Sequence, residues 1–386
     1  MAESGSMPVR ATKRGDERTP LDGERDVLIC GASFAGLAVA RELAGSGADV
    51  LIVDRYEIGE RQTSACGIPT GWLERLGLMA AERQRFDTLV MHTPHGTSRY
   101  KLPWTFSTFD YRRLCALLWE QRGAGTEFET AKVDGRSGST IHTDRGDVAA
   151  PLIVDALGWR RVLGARDNVQ PPEALLSRGL EVHPSGRSDE LELWIHKGYV
   201  RAGYGWSFPA GDEVRIGVGS FDPRDHVKEP TVRLTEDLGT EPLGYQGNWI
   251  PHALRPAVED GVFFVGDSAG HCLPLTAEGI RTAFYFGIAA GRELAAVLAG
   301  SRSHAEALEH YGRFSDAHAW KFAWLKRWQD NIWRLRPRPR DAMVASLHSR
   351  RLSAWAFGHY LRVAPPEFAL PAPPMALAPA SAELAA

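Results

Sequence analysis

The stretch that most constrains this chain runs from Asp26 to Asp54, where a short apolar strand meets Gly31-Ala32-Ser33-Phe34-Ala35-Gly36. Asp26 to Cys30 has strand length and composition, Ala35 to Ser46 has helical spacing at Leu37, Ala40, Arg41 and Ala44, and Asp49 to Asp54 is a second strand. The order strand, tight turn, helix, strand predicts a βαβ unit. Gly31 permits the sharp turn, Gly36 permits close packing of helix on sheet, and the backbone of Ser33 and Ala35 opens the helix N-terminus to a pyrophosphate. Ser33 stands where the fingerprint usually has its middle glycine, so its hydroxyl is a further donor there. Asp54, 23 residues after Gly31, ends the second strand, where a carboxylate accepts hydrogen bonds from ribose hydroxyls.

The rest of the 386 residues, 44% hydrophobic and 24% charged, is enough for a large core. Forty-five Lys and Arg against 48 Asp and Glu leave a net charge of −3, which argues against nucleic acid as a partner. The four cysteines, Cys30, Cys66, Cys115 and Cys272, have neither CxxC spacing nor the density of a disulfide scaffold. With no apolar signal segment in the first 25 residues, and Arg292 and Glu293 interrupting the longest apolar run, a cytoplasmic protein without a transmembrane helix is expected.

A second motif lies almost 240 residues after the first. Val265-Gly266-Asp267-Ser268-Ala269-Gly270-His271-Cys272-Leu273-Pro274 closes a strand on an acid and continues through Ala277-Glu278-Gly279-Ile280 into a helix. Such a loop can bind a ribitol hydroxyl at Asp267 and aim backbone N–H groups at a flavin ring, which selects FAD over NAD. At these residues the chain resembles the FAD-dependent superfamily that includes p-hydroxybenzoate hydroxylase and the geranylgeranyl reductases, over roughly residues 26 to 300. The resemblance implies that Gly266 and Asp267 hold the ribitol and that the amides of Gly279 and Ile280 face the isoalloxazine. Ala277 stands where the family usually has glycine. Ile153 to Arg160 resembles the superfamily's middle motif, and Tyr111 occupies the place of a cofactor-holding arginine, for which Arg112 or Arg113 is the nearest substitute.

The segment Tyr204-Gly205-Trp206-Ser207-Phe208-Pro209, followed after seven residues by Gly217-Val218-Gly219, narrows the resemblance to the geranylgeranyl reductases. Strand alternation puts Tyr204, Trp206 and Phe208 on one face as an apolar wall, and in that family this strand lines the isoprenoid pocket. Core packing is the competing explanation of the same three rings. Ser64-Ala65-Cys66-Gly67 resembles the family's Cys-Gly segment, whose backbone touches the flavin. The resemblance therefore implies reduction of an isoprenoid carbon–carbon double bond, with hydride from the flavin and a proton from Cys66 or water. His271 is a second candidate proton relay. The absence of a second Gly-rich βαβ unit leaves NAD(P)H, bound transiently, or a reduced electron carrier as the electron source. The alternatives are a flavin monooxygenase acting on an aromatic or other apolar small molecule, and a flavin-bearing sensor without turnover. Halogenation is disfavoured because no lysine lies between Asp54 and Tyr100.

The expected architecture is α/β: a Rossmann-like FAD-binding lobe (26–170 and 262–300) interrupted by a mostly antiparallel β-sheet substrate domain (171–261). A helical C-terminal region (301–364) follows, with disordered tails at 1–25 and 365–386. In the helical region, Trp320, Trp324 and Trp328 recur at i, i+4 and i+8 among Lys and Arg. That stripe is read as packing against the body, the alternative being an interfacial helix that makes peripheral contact with the inner face of a membrane and admits a lipid substrate.

Overall fold

The structure is a computed structural model and describes residues 19–62, 64–165, 173–346 and 349–369. Two large sheets, a small three-stranded one and a helical layer build it. In the first sheet β1 (Val27–Cys30) lies between β2 (Val50–Asp54) and β10 (Leu152–Asp155), parallel to both. The full order is β16-β17-β10-β1-β2-β6, with β6 at Thr126–Thr130, β16 at Val258–Glu259 and β17 at Val262–Phe264. Every residue of β1 and β10 is buried, as expected of parallel strands covered on both faces. Chain order reverses at β1, so a crevice opens at the carboxyl ends of β1 and β10, where such sheets bind ligands.

Helices α1 (Phe34–Glu42) and α5 (Ile280–Leu298) pack together across this sheet. A β-carbon on Gly36 would fall 1.9 Å from the Gly31 carbonyl oxygen, which is why the turn and the helix need glycine there. A separate three-stranded meander, β7 (Val133–Ser137), β8 (Thr140–Thr143) and β9 (Gly146–Ala149), follows β6.

The second sheet has eight strands in the order β15-β11-β14-β13-β12-β4-β5-β3. Four of them, β11 (Leu176–Val182), β13 (Gly203–Ala210), β14 (Glu213–Ser220) and β15 (Gln246–Pro251), form an antiparallel set against which α4 (Lys228–Asp237) packs. β12 (Leu191–Trp194) continues from β13 and pairs in parallel with β4 (Glu82–Thr93). β5 (Gly96–Phe109) and β3 (Gly67–Pro69) complete the sheet, with α2 (Thr70–Arg75) beside them, while α3 (Tyr111–Glu120) packs on α1. Residues 67–109 thus contribute three strands to a sheet expected only from 171–261. Periodicity marks β4 and β5 as strands but carries no information about which sheet receives them.

The C-terminal region folds as α6 (His304–Asp316), α7 (Ala319–Ile332), α8 (Pro337–Ser346) and α9 (Arg350–Leu361). Two expectations change here. On α7, Phe322, Leu325, Gln329 and Ile332 are buried, whereas Trp320, Trp324 and Trp328 are 68%, 55% and 38% exposed. Both sets lie on one helical face each, and the face with i, i+3, i+7, i+10 spacing takes the core. The described parts of the expected tails are also packed: Leu21 is buried, Glu24 bridges to Ala149, and the Phe368 ring lies 4.3 Å from that of Tyr285. Residues 1–18 and 370–386 lie outside the described residues.

Candidate FAD and substrate site

At the crevice, Gly31 adopts φ 113°, and a β-carbon there would meet the Ala156 carbonyl oxygen at 2.3 Å. Ser33 is the N-cap of α1 but makes no side-chain cap, so its hydroxyl is not spent on the helix. It lies instead 3.3 Å from the Tyr111 hydroxyl. Asp54 accepts from the Ala32 amide at 2.8 Å and the Tyr56 amide at 3.1 Å, and burial raises its pKa against these bonds. Arg112 is exposed and its α-carbon sits against Gly59, while Tyr111 is the residue that reaches the glycine-rich turn.

Across the crevice, Gly266 begins a 3-10 turn carrying Asp267, and Gly279 caps α5 ahead of Ile280. Asp267 is partly exposed, and its carboxylate has no hydrogen-bond partner among the described residues. Burial pushes its pKa up to about 6, opposed by the positive charge of Arg255. A β-carbon on Gly279 would lie 3.5 Å from Asp267 Oδ1, so a substituent there would crowd the carboxylate. This carboxylate, the uncapped turn of α1 and the two glycine approaches fit the hydroxyl-rich and phosphate parts of FAD.

The loop between these ends is held in an unusual backbone conformation. Leu275 and Ala277 have φ 70° and 52°, a region costing on the order of 1 kcal/mol for non-glycine residues. A glycine would adopt the Ala277 conformation without that cost. Side chains from three elements fix the loop. Gln329 of α7 accepts from the Leu275 amide at 2.8 Å, the Tyr204 hydroxyl donates to the Thr276 carbonyl, and Tyr360 of α9 bonds Glu278 and lies 2.8 Å from Thr276 Oγ1. Fully buried Arg281 joins Glu278 at 2.6 Å and donates to the carbonyls of Tyr360 and Leu361.

Tyr204, Trp206 and Phe208 do share one face of β13, half-buried, while Gly205, Ser207 and Pro209 are buried on the other. Their tasks differ. Tyr204 reaches the 275–277 loop at Thr276, and Trp206 donates its indole N–H to buried Glu181 at 3.2 Å. Phe208 meets Phe106 of β5 edge to face at 6.1 Å, and Phe106 sits so close to Gly67 that a β-carbon there would be 2.4 Å from its ring. Phe86, Leu89, Leu102 and Leu191 extend this apolar ground beyond Phe208.

Cys66 precedes that glycine with φ 52°. Arg215, 2% exposed, fixes its loop by donating to the carbonyls of Ala65 and Phe109 at 2.9 and 3.0 Å. The thiol donates to Ser64 O at 3.2 Å; burial pushes its pKa well up, with Arg215 opposing. His271 is directed elsewhere: its ring stacks on Phe286 at 3.6 Å and Nε2 meets Ser315 of α6 at 3.0 Å. Burial holds its pKa well below the usual histidine range, so it is neutral.

Arg215, Glu181, Gln329 and Tyr360 were absent from the residues singled out in the sequence. A lone arginine in Glu213–Ser220 and an acid two residues after Gly179 were available signals, since each is a charge with apolar residues on both sides, Val214 and Ile216 for Arg215 and Leu180 and Val182 for Glu181. Gln329 and Tyr360 had no comparable signal, because only the tertiary fold brings them to a loop 54 and 84 residues earlier.

A parallel sheet with a glycine-rich turn, an acid-terminated second strand and a distant ribitol-type loop defines an FAD-dependent oxidoreductase. Residues 24–102 match the model of the FAD binding domain family. The chain is 28% identical over 335 residues to digeranylgeranylglycerophospholipid reductase 3 of Methanosphaera stadtmanae, covering 77% of this chain and 84% of that protein. It is 28% identical over 344 residues to the menaquinone reductase of Mycolicibacterium smegmatis, covering 75% and 81%. A geranylgeranyl bacteriochlorophyll reductase-like protein from Thermoplasma acidophilum shares the fold with a TM-score of 0.76 at 18% identity, covering 90% of this chain and 98% of that one. These similarities support placing the chain with the FAD-dependent geranylgeranyl reductases.

Proposed function

We propose that this enzyme saturates a carbon–carbon double bond in an isoprenoid chain, drawing electrons from NAD(P)H or a reduced carrier. The observation that carries the reading is the wall of Tyr204, Trp206 and Phe208, which joins the flavin loop at one end and the apolar ground around Phe106 and Leu191 at the other. A long apolar chain matches such a surface, and the names of the two sequence relatives agree with it. Bound FAD supplies the hydride chemistry. Tyr204 holds the 275–277 loop, which would hold the cofactor, through the Thr276 carbonyl, and Trp206, anchored by Glu181, would present its indole face to the substrate chain. Cys66 keeps its proton on Sγ at neutral pH, and Arg215 beside it lowers the penalty of releasing it. His271 is a packing residue in this reading.

The test is single-turnover reoxidation of anaerobically reduced enzyme by a geranylgeranylated lipid or menaquinone, in wild type and Trp206→Ala. Rapid reoxidation by wild type, slowed at least tenfold in a variant that retains FAD, is expected. Equal rates would remove the wall from the site. Reaction with oxygen and an aromatic acceptor, with no alkene reduced, would make the protein a monooxygenase.

A further inference from the structure

Trp320, Trp324 and Trp328 project from one side of α7, and the rings of Trp324 and Trp328 touch at 5.9 Å. At 3.6 residues per turn, Lys321 and Arg327 flank this stripe, on either side of it. Three neighbouring exposed indoles form an apolar patch of the kind that soluble surfaces rarely leave without a partner. The charge around them is equally uneven. Residues 319–362 contain ten Lys and Arg and two Asp, a net of +8, in a chain whose total is −3, so the remaining residues carry −11. Arg327, Arg334, Arg336 and Arg338 are exposed and make no ion pair among the described residues. Trp355 of α9 is 60% exposed, and Arg350 and Arg351 lie in its first turn.

From these residues we infer that α7 docks on the surface of an anionic phospholipid bilayer. Indole rings settle at the headgroup level of a bilayer, and a basic surround is attracted to anionic lipid and to few other planar partners. No described helix is long and apolar enough to cross a membrane, so the contact is one of lying on the surface. The opposite face of α7 gives the contact a purpose: Gln329, adjacent to Trp328, holds the Leu275 amide of the flavin loop. Docking therefore sets that loop one helix thickness from the lipid, where an apolar substrate resides. The inference goes beyond the reductase reading and does not need it.

The experiment is co-sedimentation of the FAD-loaded full chain with vesicles of phosphatidylglycerol and phosphatidylcholine, and with phosphatidylcholine alone. Binding to the anionic vesicles at low salt is expected, falling at least tenfold on pure phosphatidylcholine. A Trp320→Ser, Trp324→Ser, Trp328→Ser variant loses at least tenfold in binding, with flavin content unchanged. Arg327→Gln and Arg334→Gln each lower binding roughly fivefold. No sedimentation of wild type, or equal sedimentation of the triple variant, overturns the inference. So does a dimer in light scattering that the triple variant dissociates, which assigns the stripe to a second copy of the chain. Vesicle binding is read without turnover, so a monooxygenase outcome above leaves this result intact.

Discussion

The indole of Trp206 occupies the space in which Gly217 lacks a side chain: a β-carbon on Gly217 would fall 2.2 Å from Cζ2 of the ring and 2.7 Å from the Leu180 carbonyl oxygen. Gly219 meets the same ring 3.4 Å from its own missing β-carbon. The aromatic strand and the Gly-Val-Gly of the next strand are therefore one device, in which cross-strand pairs on β13 and β14 exchange volume. Gly217→Ala is expected to destabilise the protein by about 2–3 kcal/mol or to expel the indole from its seat, read as a lower melting temperature with altered tryptophan fluorescence. Trp206→Ala, which opens a cavity instead, is expected to cost about 3–5 kcal/mol while FAD stays bound.

Asp267 supplies a pH-dependent prediction. An aspartate titrates near 3.9 in an unfolded chain, whereas burial pushes this one to about 6 in the folded apoprotein. The folded state thus holds a proton that the unfolded state lacks between about pH 4 and 6, and stability falls as pH rises through that window. Asp267→Asn removes the penalty. Its apoprotein is expected to be more stable than wild type by about 1–2 kcal/mol at pH 7.5, with the gap closing near pH 4 in thermal melts. The same variant is expected to bind FAD at least tenfold more weakly, since a hydrogen bond to a charged acceptor contributes about 1.5–3 kcal/mol.

Ser33 and Tyr111 depart together from the usual pattern, and they touch. A double-mutant cycle of Ser33→Gly and Tyr111→Phe, scored on FAD affinity, is expected to give a coupling of about 0.5–1 kcal/mol. Strict additivity would mean that the two hydroxyls act on the cofactor separately.

Arg161 and Glu259 form a buried ion pair at 2.9 Å, and the same guanidinium donates to the Ser268 carbonyl at 2.8 Å and lies 3.5 Å over the Phe264 ring. Arg161→Met removes the guanidinium from a buried ion pair and from the Ser268 carbonyl, for an expected loss of about 3–5 kcal/mol in urea unfolding. Because Ser268 neighbours Asp267, weaker FAD retention is expected to accompany it.

The Rossmann-type unit was readable because its constraints are local: a turn needing Gly31, a helix of period 3.6 and an acid ending the next strand lie within 29 residues. Alternation alone put Tyr204, Trp206 and Phe208 on one face, but it could not say that Trp206 is held by Glu181 or that Phe208 faces a ring from β5. His271 looked chemical beside Asp267, yet the loop turns it toward Ser315 and Phe286. The α7 tryptophans misled for a related reason. Their periodicity was real, but the same helix carried a second apolar face, and sequence spacing does not rank two faces against each other.

One consequence follows from the parallel pairing of β4 with β12 inside the second sheet. Leu89 lies opposite Leu191, about a hundred residues further along the chain, so during synthesis β4 and β5 emerge as a hairpin whose β4 edge waits for its neighbour. Non-local pairings of this kind slow folding, and unpaired edges invite association with other chains. Expression yield should therefore depend on chaperone supply and temperature more than the melting temperature of the finished protein would suggest. Cutting the chain between its two sheets should give fragments that aggregate, because β1–β2 and β4–β5 are neighbours in sequence but complete different layers.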